Sequence, residues 1–170
     1  MNENVRELRY AAEALRRDYL RASAGLGMSL LLLLLVNAGS AVFFLFLGFV
    51  AIFTAFGAHT YLKQSTVIIL DEAAAVRRFT GLAGSLLGER RIAWSTIDRF
   101  ALRYFGRRRD GGRGIVEITL GAGKQRFTAD QALEGFDDLI RRSRFAAKAS
   151  GLTLDAATEA NLSALGFTWN

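Results

Sequence analysis

The sequence predicts an α+β membrane protein: a two-helix transmembrane hairpin, then a small antiparallel β-sheet capped by a C-terminal helix. Three observations carry this. From Ala22 to Leu62 there are 41 residues without Asp, Glu, Lys or Arg. After Lys63 the apolar residues fall into short, often alternating segments between turn signals, and from Asp130 onward they recur at helical spacing.

A single helix of 41 residues would rise about 60 Å, roughly twice the hydrocarbon thickness of a bilayer, so two passes fit better than one. Asn37-Ala38-Gly39-Ser40 interrupts the run with residue types that favour a reversal, which places spans near 19–36 and 41–62. Phe43, Phe44, Phe46, Phe49, Phe53 and Phe56 occupy nearly every face of the second span, leaving no polar side for water. A cleaved leader fits poorly, because five arginines and four acids fill the 21 residues ahead of the apolar run. His59, at the end of the second span, suits an interfacial or capping role.

Charge sets the expected orientation. Arg6, Arg9, Arg16, Arg17 and Arg21 precede the first span, Lys63 follows the second, and the turn is neutral. By the positive-inside rule both termini are expected in the cytoplasm. The absence of cysteine agrees with that compartment, and 19 arginines to 3 lysines fit a GC-rich bacterial genome, hence the bacterial inner membrane.

Before the spans, Val5, Leu8, Ala12, Leu15 and Tyr19 form one narrow stripe, so residues 1–18 read as an amphipathic helix. It leads into the first span and rests on its own domain, or alternatively lies at the membrane interface or supplies the seam of a homo-oligomer such as a dimer. Beyond Lys63, strands are expected at 66–70, 75–80, 91–94, 99–105, 115–120 and 125–128. The Gly-rich link 81–88 between the second and third reads as a turn or irregular strand. Leu133, Phe136, Ile140, Ser143 and Ala147 then share one side of a helix, with Asp130 as its N-cap and Asp137 and Asp138 spaced to pair with Arg141 and Arg142. A second short helix, about 156–165, follows Asp155 and ends at Gly166. The domain is thus expected over 65–150, with a short helix and tail over 151–170.

The segment Ile92-Ala93-Trp94-Ser95-Thr96-Ile97-Asp98-Arg99-Phe100, in this order of elements, resembles the bacterial pleckstrin-homology-like (PH-like) domains found behind a transmembrane hairpin, including the YcxB-like group. There a strand ends in tryptophan, an isoleucine follows three residues on, and the next strand starts directly. Trp94, Ile97 and Phe100 stand at those places and, with Ile118 and Phe136, are expected in the domain core between sheet and helix. The resemblance implies a strongly bent antiparallel barrel capped by the helix near 130–149. It implies no single function, since such folds host lipid binding, peptide binding and scaffolding.

Lipid-binding members of the wider fold carry basic residues between their first two strands, whereas Asp71-Glu72-Ala73-Ala74 is acidic. The basic feature lies elsewhere, in Gly106-Arg107-Arg108-Arg109-Asp110-Gly111-Gly112-Arg113-Gly114. Arg107, Arg108, Arg109 and Arg113 are the candidate contacts with membrane lipids or with a protein partner. The alternatives are a nucleic-acid contact, which would rest on one loop without stacking aromatics, and a membrane enzyme with an unrecognised site. One histidine, no cysteine and no metal-spaced cluster leave little to catalyse with, so no enzyme, cofactor or metal is expected.

Overall fold

The computed structural model describes residues 5–37, 39–106 and 114–169. The chain forms two compact units, one built from residues up to Arg9 together with Thr66 onward, the other from Tyr10–Ser65.

The helical unit is an antiparallel pair, α1 (Ala12–Leu35) and α2 (Ala41–Ser65). Both are long and apolar enough to cross a membrane by length and composition. The reversal falls where Asn37, Gly39 and Ser40 stand: Gly39 has φ +87°, and Ser40 caps α2 by accepting the Phe43 amide at 3.1 Å. Small residues make the helix–helix seam. Ala22 and Ser29 of α1 and Thr60 of α2 are buried. A Cβ added at Gly25 would lie 2.2 Å from the Phe53 ring. Ser29 and Thr60 return their hydroxyls to their own helices, on Gly25 O at 2.7 Å and Phe56 O at 3.0 Å, so neither polar group is stranded. The faces away from the seam are apolar and open, with Leu34 84%, Phe44 60% and Ile52 61% exposed.

The second unit holds two antiparallel sheets. The first has the order β1 (Arg6–Arg9), β2 (Thr66–Leu70), β3 (Ala74–Phe79), β4 (Arg90–Ala93); the second has β5 (Arg99–Phe105), β6 (Ile115–Ala122), β7 (Gln125–Asp130). A six-residue helix, α3 (Gly81–Leu86), joins β3 to β4, and a 3₁₀ turn, Trp94–Thr96, joins β4 to β5. α4 (Phe136–Ala149) and α5 (Ala156–Ala164) follow. Leu8, Ile68, Leu70 and Ile92 from the first sheet, Leu102, Ile118, Leu120 and Phe127 from the second, and Leu139 and Ile140 from α4 are essentially inaccessible. They constitute the core.

Several expectations change. Residues 1–18 are not one helix: Arg6–Arg9 pair with β2 as a strand, Arg6 opposite Leu70 and Arg9 opposite Val67, and the helix begins at Ala12. Leu8 satisfies helical and strand spacing alike, and burial in the sheet decides between them. The globular unit therefore does not start at 65, and the helical pair is inserted between two neighbouring strands. Among the described residues the sheets do not join into a closed barrel, because no strand of one pairs with a strand of the other; the chain passes between them through the 3₁₀ turn. The 81–88 link contains a helix. α4 starts at Phe136 behind Gly135, not at Asp130, which ends β7 and accepts the Ala132 amide at 3.1 Å. Gly135 is required there, since its φ is +79° and a Cβ would lie 2.7 Å from Leu8. Of the pairings expected on α4, Asp138 meets Arg141 at 3.4 Å and also bridges Arg6 of β1. α5 stands as expected after Asp155, which caps it.

Candidate functional site

Trp94, Ile97 and Phe100 are brought to one region with different roles. Ile97 and Phe100 are buried, and Phe100 stacks on Trp169 with ring centroids 6.4 Å apart. Trp94, expected in the core, is half-buried because the 3₁₀ turn carries it to the sheet margin. It acts as a clamp. Its Nε1 donates to Asp71 O at 3.0 Å, and Arg142 Nη1 donates to the same oxygen at 3.2 Å. The Asp71 carboxylate accepts the Ala73 and Ala74 amides and lies 3.6 Å from Arg91. The acidic β2–β3 turn is thus occupied in holding its own shape against α4.

Beside this clamp lies a shallow groove lined by Asp71, Glu72, Trp94, Arg142, Phe145 and Ala146. Phe145 is 60% exposed. Its lining combines the charged Asp71, Glu72 and Arg142 with the apolar Trp94, Phe145 and Ala146.

Arg107, Arg108, Arg109 and Arg113 lie outside the described residues; the ends of β5 and β6 on either side of them make a closed base. Tyr104 OH accepts the Gly114 amide at 3.1 Å, and its ring covers Gly106 and Gly114 so closely that a Cβ at either would collide with it. Gln131 closes the base from below, donating from Nε2 to Gly114 O at 2.9 Å and accepting the Val116 amide at 3.2 Å. Tyr104, Phe105 and Ile115 are exposed around this base. They form an apolar collar where β5 ends and β6 begins.

The open edge of β5 is covered by α5. Leu102 N–H donates to Thr158 Oγ1 at 3.2 Å and Leu102 C=O accepts from Asn161 Nδ2 at 2.9 Å, so the helix supplies side chains where another strand would supply backbone. Asp155 holds the start of α5. Hydrogen bonds from the Thr158 amide and hydroxyl keep its carboxyl below the usual range, with Arg103 adding to the effect.

Among the described residues no group of three or more His, Cys, Asp or Glu is placed to hold a metal ion. His59 is exposed near the end of α2. Sequence reasoning missed Gln131 and gave Arg142 a partner on its own helix, whereas their roles depend on partners 15 and 71 residues away. It also missed Leu82, Leu86 and Leu87, which stand in the solvent around α3. The i, i+4 spacing of Leu82 and Leu86 was the available signal.

No protein-family model, curated protein or solved structure matches this chain.

Proposed function

We propose that the chain is a membrane-anchored, non-enzymatic interaction or regulatory protein of the bacterial inner membrane. Its cytoplasmic PH-like domain meets a protein partner or the anionic inner leaflet. The observation that carries this reading is the exposure of the apolar helical faces. The span-length window of α2 has no buried residue, which is untenable for a helix in water and ordinary for one in lipid. The small-residue seam around Gly25, Ser29 and Thr60 is the packing expected where lipid removes the hydrophobic drive between helices.

Topology adds support. β1 precedes α1 and pairs with β2 after α2, so both ends of the helical pair feed one sheet. A sheet cannot form across a bilayer; both strands lie on one side, and the helices cross an even number of times. The same pairing speaks against α1 as a cleaved leader, which would take β1 with it. Arginines before α1 and Lys63 after the apolar run favour the cytoplasm for that side. The PH-like reading is supported by antiparallel sheets of four and three strands followed by a capping helix. Within it, Arg107, Arg108, Arg109 and Arg113 are the lipid or partner contacts, each cation near an anionic leaflet being worth about 1 kcal/mol.

Topology reporters fused to either terminus test the anchor. Both termini are expected to report cytoplasm, and the chain to stay with membranes through alkaline carbonate. A C-terminal reporter active outside would overturn the hairpin, and release by carbonate would overturn the anchor.

A further inference from the structure

Leucines on a short helix at the margin of a globular unit normally turn inward, and α3 reverses this. Its packed face is small: Ala83 is 3% exposed, and a Cβ at Gly84 would lie 2.5 Å from Phe79 O, so the helix rests directly on the end of β3. Leu82, Leu86 and the following Leu87 are 76%, 83% and 40% exposed. Three adjacent leucines make a patch, and the design of the helix presents them.

The strand register says what this patch faces. Arg9 pairs with Val67, and Thr66 pairs with Phe79, two residues before Gly81. α3 therefore sits at the end of the sheet where the chain leaves for α1 and returns from α2. Lys63, the first charge after the apolar run, is three residues from Thr66. Three residues span at most about 10 Å, and the headgroup layer of a leaflet is about 5–8 Å thick. That end of the sheet is tethered within reach of the layer. Arg78 and Arg90, both on the strands flanking α3, are exposed at the same end, as interfacial segments require of their polar margin.

We infer that α3 is a membrane wedge: Leu82, Leu86 and Leu87 enter the headgroup–acyl boundary of the leaflet that the helical pair enters, and so fix the orientation of the domain on the membrane. This rests on the anchored reading above. The occupant is lipid, because the tether holds the patch at the leaflet before any soluble partner can reach it.

The chain has no cysteine, so single replacements label uniquely. The full-length chain carrying Leu86→Cys, Ile52→Cys or Glu72→Cys, each bearing an environment-sensitive fluorophore, is reconstituted in vesicles with lipids spin-labelled near the headgroup or deep in the acyl chain. Expected are strong quenching of the Leu86 probe by shallow labels, of the Ile52 probe by deep labels, and little quenching at Glu72, at the opposite end of the sheet. Quenching at Ile52 without quenching at Leu86 overturns the wedge and leaves the anchor standing. Quenching at neither overturns both. Equal shallow quenching at Leu86 and Glu72 also overturns the wedge, since the domain would then adhere without orientation.

Discussion

Asp155 shows how a single carboxylate secures a surface. Its Oδ1 accepts the Thr158 amide at 2.6 Å, and Thr158 in turn bonds the Leu102 amide on the edge of β5. Loss of the cap loosens the helix that covers that edge. Asp155→Ala is expected to cost about 0.5–2 kcal/mol, whereas Asp155→Asn retains a capping oxygen and costs less. The carboxyl titrates lower in the folded chain than in the unfolded one, so its contribution is complete above the ordinary aspartate value of about 3.9. It is lost as the pH falls through the lowered value, because the unfolded chain then binds the extra proton. Denaturant midpoints of the three proteins, measured at neutral pH and at successively lower pH, check this. The gap between the parent and Asp155→Ala should narrow in acid, and a constant gap would remove the carboxylate from the account.

At the scale of elements, the helical pair depends on where each glycine sits. Gly25 faces the Phe53 ring, while a Cβ at Gly27 would meet nothing within 4 Å. Both are helical, so propensity treats them alike, and only the seam distinguishes them. Gly25→Ile is expected to force the helices apart and lower the melting temperature of the detergent-solubilised chain, an overpacking cost of about 1–3 kcal/mol. Gly27→Ile should leave it unchanged or slightly raised. Equal effects at both positions would mean that α1 and α2 do not pack through Gly25.

For the whole molecule, the decisive feature is that the helical pair interrupts a sheet. Arg9 and Val67 are partners, so Tyr10 and Thr66 are one step from a hairpin turn. Replacing residues 11–65 by Asn-Gly, which suits a two-residue antiparallel turn, is expected to give a folded, soluble domain. A fragment starting at Gln64 lacks β1 and with it Leu8, 1% exposed, and the Arg6 bridge to Asp138. Its stability should fall by at least the about 2–5 kcal/mol of a buried leucine truncated to alanine. Circular dichroism and urea unfolding of the two proteins decide the matter, and equal stability would show that β1 contributes nothing to the sheet.

The sequence by itself determined what local chemistry can write. The uncharged run, the break at Asn37–Ser40, the alternation of Phe100 and Leu102 with Arg99 and Arg103, and the Asp155 cap all act through neighbours within a few residues. Only the tertiary structure decided what depends on distant partners. Arg6–Arg9 could follow helical spacing until β2, some sixty residues on, offered its edge. Trp94 fits a core position by pattern, yet the 3₁₀ turn moves it to the margin, where Asp71 O takes its N–H. The 81–88 link reads as a turn or irregular strand until Ala83 and Gly84 seat a short helix against β3, where the Phe79 carbonyl leaves no room for a larger side chain. Spacing along the chain limits which faces an element can bury; which of them it does bury is set by the neighbour that arrives.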